Sequence, residues 1–160
     1  MGVSRRSADR GSTPDDFASA ILASSQVLMQ QSVQCLESLS PGLSFSEFQV
    51  LVLLAEQGPK RLMDIATALE VTPTTATRVA DRLASRALVD RVRQSTDRRE
   101  VHLSIAAAGR SLVGAVHSRR RRFISSALGH FSEQDQDAAL AVLIHLAEYV
   151  DQNEQEKEPA

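Results

Sequence analysis

Residues 71–105 read VTPTTATRVADRLASRALVDRVRQSTDRREVHLSI, and the first half of this stretch predicts a helix. Thr72 is a favoured N-cap residue, and Pro73 follows at the first helical position, where its missing N–H leaves no hydrogen bond unmade. Apolar residues then recur at helical spacing as far as Arg86, so the predicted helix has one apolar face. Its other face is polar and rich in threonine.

The polar face of this predicted helix carries groups that suit nucleic acid. Hydroxyls can bond phosphates or base edges, threonine methyls can touch thymine methyls, and arginine can contact guanine O6 and N7 together. The alternative is a capped surface helix whose threonines are solvated. The concentration of threonine favours contact, because threonine is a mediocre helix former. The candidate contacts are Thr72, Pro73, Thr74, Thr75, Thr77, Arg78 and Arg82.

The second half of the stretch predicts a β-hairpin. Residues 88–92 and 100–105 alternate in polarity and contain β-branched side chains, and residues 94–99 form the tip. A guanidinium on a protruding loop can enter the narrow, electronegative minor groove of DNA. A local salt bridge that shapes the turn is the alternative. The charged residues of the tip are Asp97, Arg98 and Arg99.

Two further helices are predicted before this stretch. Ser44 and Glu47 have the spacing of a capping box, which predicts a helix that begins after Ser44 and ends at Gly58-Pro59. Residues 62–69 predict a short helix. A short helix, a turn, a second helix and a two-stranded hairpin follow one another in the order of a winged helix-turn-helix.

Long helices are predicted on both sides of this lobe, over residues 15–39, 106–128 and 132–151. The first has two adjacent apolar stripes, which form a wider band than one partner helix needs. We therefore expect it to pack against more than one element, including another subunit. The predicted fold class is mainly α with a small β-hairpin.

Residues 43–110, from LSFSEF through TPTTATR and DRRE to AAAGR, resemble the MarR family of bacterial transcriptional regulators. The most specific part is Asp97-Arg98-Arg99, because the wing of that family carries an Asp-x-Arg there. The resemblance implies that Arg99 enters the minor groove, that Asp97 orients it and that Arg98 contacts the DNA backbone. It also implies that residues 73–86 are the recognition helix.

Two positions depart from the family's pattern. Ala87 stands where the family usually has a glycine before the first wing strand, and alanine resists the positive φ that glycine permits. Ala106 stands where the family usually has a threonine that caps the next helix. Neither position is among the implied DNA contacts, so the implied binding role is unaffected.

The resemblance also implies a homodimer that places two recognition helices in successive major grooves of a pseudo-palindromic, double-stranded DNA operator. The implied organisation is a winged helix-turn-helix DNA-binding lobe over residues 43–106, with N- and C-terminal dimerisation helices over residues 15–42 and 107–151. Residues 1–14 are expected to form a disordered arm, and residues 152–160 an acidic tail. Repression is the commonest mode of regulation in the family.

By the same resemblance, a small lipophilic or aromatic ligand would bind where the dimerisation helices meet the DNA-binding lobe. Such a ligand would stabilise a lobe spacing that no longer fits DNA. The residues that line this cleft, or else belong to the core, are Phe17, Ile21, Phe45, Phe48 and Leu51.

Charge is unevenly distributed along the 160 residues, although the net charge is only −2. Residues 60–105 hold nine Lys or Arg against six Asp or Glu, whereas residues 148–160 hold five acids and one Lys. A basic middle favours DNA as the partner over the alternative of a winged-helix module that binds another protein.

Cysteine and histidine content bears on the remaining classes of protein. The single cysteine, Cys35, excludes an intramolecular disulfide and fits a reducing, cytoplasmic compartment. It has no basic neighbour in the sequence, so we expect a buried structural residue, with an oxidant-sensing repressor as the alternative. The four histidines lack metal-ligand spacing, and no nucleotide-binding or nucleophile motif is present. We therefore expect no metal, cofactor or enzymatic activity, and no apolar run is long enough to span a membrane.

Overall fold

The computed structural model describes residues 13–93 and 101–155, which form six helices and three strands. In chain order the elements are α1 (Pro14–Leu39), α2 (Phe45–Gln57), β1 (Lys60–Arg61), α3 (Leu62–Ala68), α4 (Pro73–Ser85), β2 (Val89–Arg93), β3 (Val101–Ile105), α5 (Ala107–Leu128) and α6 (Glu133–Gln155). The chain divides into two compact units at Arg120, so that α5 contributes to both. The predicted fold class, mainly α with a small β-hairpin, is confirmed, and a third short strand extends the hairpin.

The outer boundaries of the helical segments differ from the prediction. Helix α1 begins at Pro14, inside the predicted arm, because Thr13 and Asp16 cap it reciprocally. The Thr13 hydroxyl accepts a hydrogen bond from the Asp16 backbone N–H at 3.2 Å, and the Asp16 carboxylate accepts one from Thr13 N at 3.1 Å. At the other end, α6 continues to Gln155, inside the predicted acidic tail.

The sheet has three antiparallel strands in the order β1-β3-β2, not the two strands of the predicted hairpin. Strands β2 and β3 pair from Val89 opposite Ile105 to Arg93 opposite Val101. The additional strand β1 pairs Lys60 with Leu103 on the other edge of β3. Two residues are too few to show the alternation by which a strand is recognised in a sequence.

The core of the first unit joins the sheet and α2–α4 to one end of α1 and the start of α5. Its most deeply buried large side chains, each less than 2% exposed, are Leu51, Leu54, Ile65, Leu83, Leu103, Glu47, Val50 and Val116. Cys35 and Leu36 of α1 belong to the same cluster. Phe48 meets the edge of His117 with ring centroids 6.2 Å apart. Helix α4 is therefore fixed to a continuous apolar body.

Both helices of the helix-turn-helix end in a Schellman motif without glycine. At the end of α4, Ala87 N donates to Ala84 O at 2.9 Å and Leu88 N donates to Leu83 O at 3.0 Å, with Ala87 at φ 54°. Glu70 has the same role after α3, at φ 52°. The backbone thus retains the left-handed turn at Ala87, although its side chain disfavours that conformation.

The second unit contains the end of α5 and the whole of α6. Ser132 caps α6 by accepting a hydrogen bond from Asp135 N at 3.2 Å. The Gln136 amide donates to the carbonyls of Leu128 and Phe131, both at 3.1 Å, and so closes the turn between the helices. The Leu128 carbonyl, at the end of α5, also accepts a hydrogen bond from Phe131 N at 3.0 Å, so backbone and side-chain donors together close the turn.

Gly109 lies in the first turn of α5 and permits a close approach to the backbone just before β2. A Cβ at this position would lie 2.2 Å from the Leu88 carbonyl oxygen and 3.0 Å from Ile105 Cγ1. Ala106 N donates to the same Leu88 carbonyl at 3.0 Å. Any side chain here would therefore separate α5 from the sheet.

We expect Gly109→Ala to lower the free energy of unfolding by about 1–3 kcal/mol, because the new methyl group overlaps a backbone oxygen that cannot move freely. Urea denaturation followed by circular dichroism measures the change. Gly114→Ala in the same helix is the matched control, since a Cβ there meets nothing within 4 Å. The control should be stabilised by about 0.5–1 kcal/mol, because alanine favours the helix. Equal effects at the two positions would contradict the proposed close approach.

Candidate nucleic-acid interface

Helix α4 is held by its cap and by a face of small residues. The Thr72 hydroxyl accepts a hydrogen bond from Thr75 N at 3.2 Å and lies 2.9 Å from the Thr75 hydroxyl. Pro73 occupies the first helical position. On the inner face, Ala76, Ala80 and Leu83 are buried. The polar residues between them therefore project from the first unit.

The hydrogen bonds of α4 separate the exposed threonines into two groups. Thr72 and Thr75 bond one another in the cap, and the Thr77 hydroxyl donates to the Pro73 carbonyl at 2.9 Å. Within the described residues, Thr74 and Arg78 have no side-chain hydrogen bond or ion pair, and both are exposed. Because they lie one helical turn apart, they form one outward row whose polar groups are available to a partner.

Arg82, the third member of this row, is paired with a buried carboxylate. Its Nε lies 2.8 Å from Glu47 Oε1, and the side chains of Arg82 and Glu47 are 61% and 1% exposed. Glu47 Oε2 accepts hydrogen bonds from the Ser44 backbone N–H at 2.7 Å and from the Ser44 hydroxyl at 2.9 Å. The sequence assigned Glu47 only to the capping box, which did not indicate where its second oxygen would point.

Two more arginines tie α4 to its surroundings. Arg91 on β2 forms an ion pair with Asp81 on α4. Arg86, directly after α4, donates from Nη2 to the Ser40 hydroxyl at 2.9 Å and to the Pro41 carbonyl at 3.0 Å. These contacts connect α4 with the sheet and with the turn after α1, so they fix the direction in which the outward row of α4 faces.

The predicted wing-tip residues Asp97, Arg98 and Arg99 lie outside the described residues. They fall between Arg93 and Val101, the last paired residues of β2 and β3. Their assignment to DNA therefore continues to rest on the motif.

A cavity of about 320 Å³ opens beside α2, with walls from α2, the end of α3 and α5. Phe45 and Phe48, two of the predicted ligand residues, line this cavity, whereas Phe17, Ile21 and Leu51 do not. Phe17 is 47% exposed and Leu51 is fully buried in the core. The complete lining is Phe45, Phe48, Gln49, Val52, Leu53, Glu56, Ala68, Leu69, His117 and Arg120. The sequence prediction missed His117 and Arg120 because they lie far along the chain, on α5.

Cys35 is buried, with Sγ 4.0 Å from the Val116 carbonyl. Arg119 and Arg120 line the same small pocket as Cys35, although neither is near it in the sequence. Arg119 donates to the Ser38 hydroxyl at 2.7 Å.

Among residues 13–93 and 101–155, no cluster of His, Cys, Asp or Glu has a metal-binding arrangement. None of the helices in that part of the chain combines the length and hydropathy of a membrane span.

Comparison with known proteins gives concordant matches. The model of the MarR family matches residues 43–101. The chain is 32% identical over 115 residues to YpoP of Bacillus subtilis strain 168, an uncharacterised HTH-type transcriptional regulator, covering 72% of this chain and 79% of YpoP. It is 28% identical over 144 residues to the HTH-type transcriptional repressor MdtR of the same strain, covering 89% and 93% of the two chains. The crystal structure of RV1404 from Mycobacterium tuberculosis superposes with a TM-score of 0.80 at 28% identity, covering 86% of this chain and 94% of RV1404.

Proposed function

The chain belongs to the MarR family of DNA-binding transcriptional regulators, and from this we propose that it is a homodimeric repressor which a small ligand releases from its operator. The observation that carries the proposal is the outward row of α4, where Thr74 and Arg78 are exposed on a helix anchored to the core. The similarity to MdtR, named as a repressor, supports the sign of regulation.

DNA recognition is proposed to use α4 in the major groove and the hairpin tip in the adjacent minor groove. Arg78 has donors for a guanine edge, and Thr74 can contact a phosphate or a thymine methyl. The sugar-phosphate backbone of the DNA would be contacted by the capping residues at 72, 73 and 75 and by the hydroxyl of Thr77. Such contacts position the helix without reading the base sequence. Arg99 is proposed to enter the minor groove, with Asp97 orienting it and Arg98 on a phosphate.

A homodimer is proposed because long helices in both units present exposed apolar side chains. On α1, the exposed large apolar residues are Phe17, Leu22, Val27, Leu28, Met29, Val33 and Leu39. On α6 they are Leu140, Val142, Leu143, Ile144, Leu146, Tyr149 and Val150. Apolar surface of this extent is typical of protein–protein interfaces. A second copy of the chain would supply matching helices for a symmetric interface, in keeping with dimerisation segments at 15–42 and 107–151.

Ligand binding is proposed at the cavity beside α2. Its walls are largely apolar, and Phe45 and Phe48 offer aromatic surface. His117 and Arg120 provide donors at its edge, an arrangement that suits a small lipophilic or aromatic molecule with one polar or anionic group. Because α2 also contacts α4 through Glu47, a ligand that displaces α2 would change the position of the recognition helix.

We expect Arg78→Ala to weaken binding by about 1–3 kcal/mol and to relax base preference, because a base-edge contact is lost. Arg99→Ala should weaken binding to all sequences and flatten the salt dependence by about one unit. A footprint on the DNA that flanks the gene identifies the site, and fluorescence anisotropy across salt concentrations measures affinity.

Arg121→Ala, which removes an exposed arginine from α5, is the control for these variants and should bind as the wild type does. Wild-type affinity in Arg78→Ala would exclude α4 as the reading helix. Wild-type affinity in Arg99→Ala would instead exclude the wing assignment.

We expect Leu143→Glu to shift the protein from dimer to monomer by at least tenfold in dissociation constant, because the interface would then bury an unpaired charge. Analytical ultracentrifugation measures the constant. Gln134→Glu places the same charge on the polar first turn of α6 and should leave the dimer intact. A monomeric wild type, or equal behaviour of the two variants, would contradict this assembly.

We expect Ala68→Leu to reduce binding of the aromatic anion 1-anilinonaphthalene-8-sulfonate, because the larger side chain occupies part of the cavity. DNA affinity without the probe should be unchanged, and release of DNA by the probe should be weaker. Ala107→Leu, on the first turn of α5, is the matched control. Probe titration by fluorescence tests the site, which is excluded if the two variants bind alike.

A further inference from the structure

We propose that Glu47 is a positioning residue for DNA binding, whose buried carboxylate holds Arg82 so that its outer guanidinium nitrogens contact the DNA backbone. The inference rests on the proposed DNA-binding role of α4. Glu47 itself is buried in α2, so it would act on DNA recognition only through Arg82.

The carboxylate of Glu47 does more than cap its helix. A capping box needs one side-chain oxygen to accept from the N-cap backbone, and glutamine provides it as well as glutamate does. Oε2 performs this task with Ser44. Oε1 is buried and, within the described residues, has no aligned hydrogen-bond partner, so its close contact is the ion pair with Arg82 Nε at 2.8 Å.

Burial makes this ion pair dependent on both partners. Glu47 is 1% exposed, and a carboxylate removed from water is unfavourable unless an opposite charge or hydrogen bonds compensate. Ser44 satisfies one oxygen, and the other faces the guanidinium. The ion pair therefore favours the rotamer of Arg82 that keeps its guanidinium beside Glu47, over the many other rotamers that an exposed arginine can sample.

The geometry of the pair leaves the DNA-facing part of Arg82 available. The contact with Glu47 is made through Nε, and the two terminal nitrogens carry four further N–H donors that have no hydrogen-bond partner within the described residues. The side chain is 61% exposed and continues the row of Thr74 and Arg78 at intervals of one helical turn. Planar donors held in one orientation suit a phosphate oxygen, a contact that positions the protein on the duplex without reading bases.

The test uses the fact that the positioning role and simple electrostatics predict opposite changes in DNA affinity for Glu47→Gln. Glu47→Gln removes one negative charge, and by electrostatics alone this should tighten binding to polyanionic DNA. Under the positioning role it should weaken binding by about tenfold, because the capping contact survives while Arg82 is released. Glu133→Gln, which removes an exposed carboxylate from the first turn of α6, is the charge-matched control and should bind DNA at least as tightly as wild type.

A double-mutant cycle separates positioning from folding. We expect Arg82→Ala to weaken DNA binding and to flatten its salt dependence by about one unit. In that background, Glu47→Gln should cause no further loss of affinity, because the residue it positions is absent. Ser44→Ala disrupts the cap but retains the ion pair, so it should lower stability to urea while leaving the Arg82-dependent part of binding in place.

Three results would overturn the inference. Glu47→Gln that binds as tightly as Glu133→Gln would show that Arg82 does not depend on the carboxylate. An equal loss from Glu47→Gln with and without Arg82 would assign the effect to the fold. Wild-type affinity in Arg82→Ala would exclude the proposed contact between Arg82 and the DNA backbone. Failure of the wild type and of all variants to bind DNA would instead overturn the proposed function, and this inference with it.

Discussion

The burial of one face of α4 is the constraint on which the rest of the structure depends. Ala76 and Ala80 are small and one turn apart, so the helix can lie close to the core, and Leu83 anchors its last turn. Once this face is fixed, the positions between its residues must face outward. The exposure of Thr74 and Arg78 is thus a consequence of packing, since α4 lies against the core with one face only.

The arginines of the basic segment, residues 60–105, have two different roles. Those at 61, 82, 86 and 91 make contacts within the first unit, to Asp64, to Glu47, to the turn after α1 and to Asp81. Arg78 has no such contact among the described residues. A count of charges overstates the number of cations free for DNA, because ion pairs within the lobe neutralise part of the segment while giving the recognition helix its orientation.

Local signals anticipated much of the fold and part of the site. Thr72-Pro73 marked the start of α4 and Ser44 with Glu47 the start of α2, because a cap involves residues only three apart. The strand pairing of residues 89–93 with 101–105 followed from alternation. Strand β1 was missed because two residues carry no period, and the close approach at Gly109 was missed because the obstructing carbonyl belongs to Leu88.

The sequence by itself determined the caps and the apolar faces, since each depends on residues within a turn or two of one another. It also determined the family and the identity of the candidate contacts, since these follow from motifs along one continuous stretch of the chain. Tertiary structure alone decided which of the candidate residues are exposed or line a cavity, and so can contact a partner. It buried Leu51 in the core, placed Phe45 and Phe48 on a cavity with His117 and Arg120, and joined Glu47 to Arg82. These outcomes depend on side chains far apart in the chain, whose distances are set only when the whole core has packed.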